Sequence, residues 1–313
     1  MAFSAQDVKN LREMTGAGMM DCKKALDAAN GDMDGAIKFL REKGLAAAAK
    51  KATRIAAEGM VVTAASADKK CAAIVEVNSE TDFVAKNEKF VTFAKTIAQL
   101  VLDKAPADVD ALKALTYPGS ELNVEGMLHE MVLTIGENIQ IRRFRRMEGG
   151  SIESYIHMGG KMGVIAKFEL EGVDAANEDY LAASHDVCMQ IAAMNPQYVS
   201  AECVPASAVE EEKEIQLVKA REENANSAKP KPEAVLEKMI AGRLNKFFAQ
   251  ICCLEQEFVK DDSVTVGKML ENVSAKLGGK IKLVDFVRYE KGEGIEKKQD
   301  DLAAEVASMV KKG

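Results

Sequence analysis

The sequence contains no tryptophan, and only 5% of its 313 residues are aromatic. None of its six cysteines stands in the Cys-x-x-Cys spacing of zinc and redox sites, and its three histidines are far apart. No apolar run reaches the ~18 residues of a membrane span. Residues 1–7 lack the charged start and apolar body of a secretory signal. We therefore expect a reduced, cytoplasmic protein with ordinary buried thiols and no metal.

No catalytic arrangement is recognisable in the sequence either. Two Gly-Gly-Lys runs, at 159–161 and 278–280, lack the Gly-x-x-x-x-Gly-Lys-Ser/Thr spacing of a phosphate-binding loop. No Ser-His-Asp or Cys-His pattern stands out, although folding can assemble such a site from distant residues. We predict neither an enzyme nor a cofactor. The net charge of −7 argues against a general nucleic-acid binder, which usually carries a basic stripe.

The chain is 47% hydrophobic, enough to bury a substantial core, and its length of 313 residues suggests about two domains. Its N-terminal region has a helical pattern. Ser4 and Asp7 are placed to cap a first helix, which Gly16-Ala17-Gly18 interrupts before a second helix from about Met20. Asp32 is placed to cap a third helix, and we predict that Gly44 ends it. An alanine-rich connector helix then covers 45–57. Residues 1–57 are thus predicted to be a three-helix domain with a connector helix.

An internal repeat organises the middle of the chain. The run Ala-Lys-Asn-Glu-Lys-Phe at 85–90 recurs at 175–180 as Ala-Ala-Asn-Glu-Asp-Tyr. A β-hairpin pattern precedes each copy and an apolar helix follows it. We predict an α+β protein whose core contains two related subdomains, each a sheet with helices on one face. Their boundaries are residues 58–147 for the first, and 148–204 with 254–291 for the second.

Two further helical regions complete the predicted architecture. Residues 206–225 and 233–253 have helical patterns separated by a small, polar, proline-containing stretch, which indicates an inserted antiparallel hairpin (coiled coil) over 205–253. Its apolar stripe, Val209, Ile215 and Val218, is thin, which favours an arm in solvent over packing on the core. Residues 292–313 are predicted to be a C-terminal helical module with an apolar face at Leu302, Val306 and Met309.

The stretch around Phe83 is the most distinctive of the chain. A β-rich run ends near Val77, and Ser79 followed by Asp82 fits the pattern that caps a helix N-terminus. Phe83 is either a staple that holds this turn to the core or a side chain that points outward. The second copy of the repeat has Gly172-Val173 where the first has Asp82-Phe83, which favours the outward alternative.

Two other sites have competing interpretations. Met19 and Met20 begin a helix, so at least one must point outward, as an incidental surface residue or as part of a contact patch. The strand predicted over 139–146 carries four arginines. Nucleic-acid binding is the less favoured interpretation because no aromatic platform accompanies these arginines. We expect them to pair with the chain's excess acidic residues.

Four motifs resemble signatures of the translation elongation factor Ts family, in the family's order. They are LREMTGAGMMDCKKAL at 11–26, TDFV at 81–84, IGENIQIRR at 135–143 and GEGIEK at 292–297. The resemblance implies an N-terminal domain with the ubiquitin-associated fold and a non-enzymatic role in the cytoplasm. That role is guanine nucleotide exchange on elongation factor Tu, with no direct nucleic-acid or membrane partner. It also admits a homodimer through the core.

The resemblance further implies which residues act. Those expected to disturb the Mg²⁺ and phosphate site of the GTPase are Thr81, Asp82, Phe83 and Val84. Those expected to dock on the GTPase are Arg12, Met19, Met20, Lys23, His157 and Val259. Lys260 stands where the family pattern has a methionine, so the contact near Val259 departs from that pattern. The alternative function is an α+β enzyme or thiol protein whose site the sequence does not reveal.

Overall fold

The computed structural model describes residues 3–226 and 231–296, which form the predicted α+β fold. The N-terminal helices are α1 (Ala5–Thr15), α2 (Met19–Ala28) and α3 (Met33–Lys51). The first subdomain follows with β1 (Glu58–Ala65), β2 (Cys71–Ser79), α4 (Asp82–Ala85), α5 (Glu88–Lys104), α6 (Val109–Ala114), α7 (Val124–Ile135) and β3 (Gln140–Glu148).

The second subdomain contains a helical insertion. Its elements are β4 (Ser151–His157), β5 (Met162–Glu171), α8 (Glu178–Met194), α9 (Ala206–Ala225), α10 (Glu233–Ile251), β6 (Glu257–Phe258), β7 (Asp261–Thr265), α11 (Val266–Leu277) and β8 (Lys280–Glu290). The predicted C-terminal helix, with Leu302, Val306 and Met309, lies outside the described residues. None of the helices in the described part of the chain is long and apolar enough to cross a membrane.

Helix α1 begins and ends where its local sequence predicts, and α3 begins at its predicted cap. Ser4 and Asp7 form a reciprocal capping box at α1, and Gly16 ends that helix with a φ of 68°. Asp32 caps α3 by accepting a hydrogen bond from the Gly35 amide. The three helices enclose a small core of their own, made of Val8, Leu11, Ala17, Cys22, Ala25, Leu26, Ala36 and Leu40.

The prediction that Gly44 ends the third helix is wrong. Helix α3 runs without interruption from Met33 to Lys51, and residues 52–57 are not helical, so no separate connector helix covers 45–57. A Cβ atom at position 44 would lie only 3.3 Å from the backbone oxygen of His129 in α7. Glycine is therefore there because α7 packs closely against α3, which a sequence signal for helix termination does not distinguish.

Each subdomain is a three-stranded antiparallel sheet with helices on one face. The strand orders are β1-β2-β3 and β4-β5-β8. Helix α5 covers the first sheet with Phe90, Phe93 and Ile97, and α7 adds Leu128 and Val132 to the same core. Helices α8 and α11 cover the second, around Phe168 and Tyr180. The uncovered faces pack on each other through Val61, Ala72, Ile74, Met147, Ile152 and Ile165, so the core has four layers.

The sequence repeat corresponds to a structural repeat. Asn87 caps α5 and Asn177 caps α8, each accepting from the backbone amide two residues later. Both helices end at a left-handed residue with a φ of 47°, Ala105 in the first and Asn195 in the second. In each subdomain, helices separate the hairpin from the third strand of its sheet.

Helices α9 and α10 form the predicted hairpin, and part of the thin apolar stripe of α9 is exposed. Ile215 and Val218 are 42% and 56% exposed, so the expected stripe does not face the partner helix at these positions. The buried positions of the hairpin include Ala220, Leu236 and Ile240. The side chain of Asn224 also bonds the backbone of Lys231 across the hairpin's end, donating to its oxygen at 3.0 Å and accepting from its nitrogen at 2.6 Å.

Candidate protein-binding site

Phe83 points into solvent at the start of the short helix α4. Its residue surface is 79% exposed, the largest fraction among the exposed large apolar residues of the described chain. Val84, the next residue, is 7% exposed and lies in the core of the first subdomain. The apolar anchor of the turn is therefore Val84, and the structure excludes Phe83 as a core staple.

Asp82 is exposed beside Phe83 and forms an ion pair with Lys86 at 3.0 Å. The hydrogen bond from Lys86 and its positive charge lower the pKa of Asp82 below its usual value. The Lys86 ammonium also lies 5.9 Å from the centroid of the Phe83 ring. The tip of the turn thus presents an ionised carboxylate and an aromatic ring side by side.

The predicted capping of this turn by Ser79 and Asp82 is wrong. Thr81 is the N-cap residue, its side chain makes no capping bond, and the Ser79 hydroxyl donates instead to the backbone oxygen of Thr81 at 3.0 Å. The amides of Glu80 and Thr81 donate to the carboxylate of Glu137, which lies just after α7. Glu137 belongs to the motif at 135–143, and the sequence pattern alone indicates no role for it.

A buried charge cluster lies at the base of the same turn. Glu76 in β2 is fully buried, and its oxygens accept hydrogen bonds from Arg142 at 3.0 Å and Arg143 at 2.6 Å. A β-bulge pairs Glu76 with Arg143 but Val77 with Ile141, so Arg142 is the extra residue of β3. Two consecutive arginines thereby reach one carboxylate.

Three of the four arginines of β3, namely Arg142, Arg143 and Arg146, form ion pairs within the chain, as expected. Arg146 pairs with Glu148 at 2.6 Å, and Arg143 also pairs with Glu293 at 3.0 Å. Burial would lower the pKa of the Arg143 guanidinium, but its acidic partners Glu293 and Glu76 raise the pKa overall. These pairs favour the ion-pair interpretation of the strand over the nucleic-acid one.

A second exposed apolar surface lies on the N-terminal helices. Met19 and Met20, at the start of α2, are 45% and 63% exposed, so both point outward. They line an open groove of about 580 Å³ between α1 and α2. The other residues that line this groove are Phe3, Ser4, Ala5, Val8, Lys9 and Lys23. Arg12 is exposed on α1. Four predicted docking residues are thus accessible on one small module.

The other predicted docking residues lie in the second subdomain. His157 ends β4, is half-buried, and its Nδ1 atom lies 2.8 Å from the Tyr155 hydroxyl. Val259 is 48% exposed, and its amide donates to the buried Gln190 side chain at 2.8 Å. Lys260 pairs with Asp186 at 2.7 Å, so its ammonium is directed toward α8.

Four of the six cysteines are buried, and the described residues show no cluster of metal-ligating side chains. Residues 3–226 and 231–296 contain no group of three or more metal-ligating side chains. Cys188 is fully buried, and burial raises its thiol pKa well above the ordinary value. Burial likewise raises the pKa of Cys252 and Cys253 to about 12. These three thiols are therefore protonated at neutral pH, which makes them poor nucleophiles.

Comparison with known proteins identifies clear relatives. A family model described as Elongation factor TS matches residues 80–293. The chain is 47% identical over 313 residues to Elongation factor Ts of Syntrophotalea carbinolica, covering 99% of this chain and 100% of that protein. It is 48% identical over 309 residues to Elongation factor Ts of Clostridium perfringens strain SM101, covering 98% and 99%. The corresponding protein of Halothermothrix orenii is 44% identical, with complete coverage of both chains.

Proposed function

This chain belongs to the elongation factor Ts family, and on that basis we propose that it is the guanine nucleotide exchange factor of elongation factor Tu in translation elongation. It binds the GDP-bound GTPase and promotes GDP release as a cytoplasmic binding protein, without catalysing a chemical reaction. The observation that carries the proposal is the solvent position of Phe83, 79% exposed on a turn otherwise anchored in the core.

The mechanism follows from thermodynamic linkage. A protein that lowers the affinity of a GTPase for its nucleotide must itself bind more weakly when the nucleotide is present. The bound Mg²⁺ is among the largest local charges in such a site, so displacing the groups around it weakens the nucleotide. In this proposal Asp82 and Phe83 displace those groups, while Thr81 and Val84 hold the pair in position.

Docking is a separate task with its own surfaces. The proposed first contact is the groove that contains Met19, Met20 and Lys23, with Arg12 beside it. Burying one such apolar side chain at an interface is worth roughly 1.5–3 kcal/mol. His157 and Val259 provide the proposed second contact. Lys260 lies next to Val259, and its ammonium pairs with Asp186 of the same chain.

We also propose the domain organisation that accompanies this function. It consists of residues 1–57, the core subdomains 58–147 and 148–204 with 254–291, the inserted hairpin 205–253, and a C-terminal module 292–313. The separate core of the N-terminal helices and the two sheet-and-helix cores support the division. Limited proteolysis is expected to cut first within 224–232, and a first cut in α5 would contradict the hairpin as an arm.

The decisive experiment measures nucleotide release directly. Elongation factor Tu loaded with a fluorescent GDP analogue is mixed with the purified chain and excess unlabelled GDP. We expect release to accelerate with chain concentration up to a maximum, and the chain to leave the GTPase when GDP is added back. No acceleration would contradict the proposal and favour the alternative of an unrecognised enzyme or thiol protein. Sedimentation of the free chain tests the homodimer.

A further inference from the structure

We infer that Glu137 is a positioning residue for nucleotide exchange: its carboxylate holds the turn that carries Asp82 and Phe83. The inference rests on the proposed exchange function and deepens it. It assigns a role to a side chain 56 residues away from Thr81 in the sequence. Glu137 touches the turn and has no direct task at the nucleotide.

The contacts between Glu137 and the turn use both carboxylate oxygens. The Thr81 hydroxyl donates to Oε1 at 2.7 Å, while the amides of Thr81 and Glu80 donate to Oε2 at 3.0 and 3.1 Å. Hydrogen bonds to an ionised acceptor are about twice as strong as neutral ones. One side chain therefore satisfies the hydroxyl and two consecutive amides at the entry to α4.

The turn needs this external support because little within it can hold it. Helix α4 has four residues, which is too short to be stable alone. Its first amides have no partner within the helix, and the N-cap residue Thr81 makes no side-chain capping bond. Phe83 is exposed, so its ring contributes little to anchoring. Val84 is the one buried side chain of α4, and the Ser79 hydroxyl adds one bond to the Thr81 backbone oxygen.

Glu137 is itself held firmly. It follows helix α7, which is anchored in the core by Leu128 and Val132, and which ends at Gly136 with a φ of 89°. The adjacent Asn138 is 3% exposed, and its side-chain amide donates to the backbone oxygen of Arg54 at 2.7 Å. A rigid element of the scaffold therefore presents the carboxylate.

A fourth hydrogen bond, with its acceptor on the turn, runs in the opposite direction. The backbone amide of Asn138 donates to Oε1 of Glu80 at 2.6 Å, and Arg54 pairs with the same carboxylate oxygen at 3.4 Å. Residues 80–81 and 137–138 thus clasp each other reciprocally, as the two residues of a capping box do within one helix. Loss of either carboxylate loosens the clasp.

A fixed turn matters because of how Asp82 and Phe83 use their binding energy. A group that is ordered before binding does not spend interaction energy on its own ordering. A mobile turn would still dock through the N-terminal groove, but Phe83 would enter the GTPase less often in the productive orientation. Loss of Glu137 should therefore lower the maximal release rate and change the concentration for half-maximal release much less.

The test compares Glu137→Gln and Thr81→Val with the unmodified chain in the fluorescent GDP assay. Glu137→Gln removes the charge and places an N–H donor against the turn's own donors, so we expect a roughly tenfold lower maximal rate, equivalent to about 1.4 kcal/mol. Thr81→Val removes one of the three bonds and should cause a smaller loss. Glu121→Gln, which alters an exposed carboxylate in the loop before α7, is the matched control and should retain the full rate.

Two readouts separate positioning from a general structural role. In an Asp82→Ala/Phe83→Ala background, Glu137→Gln should change the maximal rate less than about twofold, because both of the groups it positions are gone. Hydrogen exchange at the Glu80 and Thr81 amides should accelerate in Glu137→Gln, while amides inside α5 stay protected. Equal losses in both backgrounds, or an unchanged rate in Glu137→Gln, would overturn the inference.

The proposed function and this inference fail differently. If the unmodified chain does not accelerate GDP release from the GTPase, the proposed function fails, and the rate effect assigned to Glu137 fails with it. If the unmodified chain is active and Glu137→Gln is equally active, only the inference fails. Thermal melting of each variant shows whether a lost rate reflects unfolding, and Thr81→Val then provides the second, milder perturbation of the same clasp.

Discussion

The buried carboxylate of Glu76 accepts a hydrogen bond of 2.8 Å from the backbone amide of Gly292, 216 residues later in the chain. Glu76 belongs to the central strand of the first sheet, whereas Gly292 follows the last strand of the second. The same carboxylate accepts from Arg142 and Arg143. One ionised side chain thus fastens both subdomains at the base of the Phe83 turn.

Replacing Glu76 should destabilise the whole core. Removing one member of a buried charge cluster leaves its partners uncompensated, which typically costs about 3–5 kcal/mol. We expect Glu76→Ala to lower the free energy of unfolding by about 3 kcal/mol, since both arginines are partly exposed and can gain water. Urea denaturation followed by circular dichroism measures this. Glu148→Ala, which breaks an exposed pair with Arg146, should cost less than ~1 kcal/mol, and equal costs would contradict the prediction.

Gly292 and Gly278 form a matched pair for testing whether neighbouring backbone leaves room for a side chain. Both have a left-handed backbone, with φ of 70° and 68°. A Cβ atom at position 292 would lie 2.0 Å from the Ala57 backbone oxygen, whereas one at 278 meets nothing within 4 Å. Gly278→Ala should cost about 1–2 kcal/mol from its backbone conformation alone. Gly292→Ala should cost clearly more, and similar melting temperatures for the two variants would refute the clash.

Phe83 and Met20 should have separable effects on exchange. Met20→Ala should weaken binding to the nucleotide-free GTPase by ~1–3 kcal/mol, with most of the maximal release rate restored at saturation. Phe83→Ala and Asp82→Ala should instead lower the maximal rate, about tenfold for Phe83→Ala. Because Phe83 is 79% exposed, its variant should melt like the unmodified chain.

Met14→Ala is the control for these variants. It alters a methionine that is 64% exposed outside the groove, and it should change neither the affinity for the GTPase nor the maximal release rate. A full maximal rate in Phe83→Ala would contradict the proposal that Phe83 displaces the groups around Mg²⁺.

Acidification should destabilise the chain through His129 in α7. Partial burial lowers the pKa of this imidazole from its ordinary 6.5, with a smaller contribution from the Lys113 charge and opposition from Glu125. The unfolded chain therefore binds more protons than the folded chain between the lowered pKa and about 6.5, so stability falls as the pH drops through that window. His129→Gln should flatten the dependence of the urea midpoint on pH between about 7.5 and 5.5. The same slope in both proteins would contradict this.

Much of the fold was predictable because its signals are local. The caps at Ser4 and Asp32 lie next to the helices they start, and the repeated Asn-Glu at 87 and 177 marks two equivalent helices. Exposure of Phe83 was favoured by the missing equivalent in the second copy. In the structure Phe83 is exposed because the neighbouring Val84 takes the buried position of the turn.

The wrong predictions concern residues whose role depends on distant parts of the chain. Gly44 has the sequence signal of a helix end, but its real constraint is the backbone of His129 across the interface with α7. Ser79 and Asp82 have the spacing of a cap, but Glu137 takes the amides instead. In both cases a tertiary contact replaced the local interaction that the pattern predicts.

The sequence by itself determined the order of the elements, their approximate ends and the family, because these depend on neighbouring residues and on long specific motifs. The tertiary structure alone decided which carboxylates matter. Glu76 and Glu137 look like any other glutamate in the sequence, one in a strand and one after a helix. Their roles arise when sheet register, a β-bulge and the close of α7 bring donors to them from 56 to 216 residues away. Such proximity is produced by packing of the whole chain, so no local pattern encodes it.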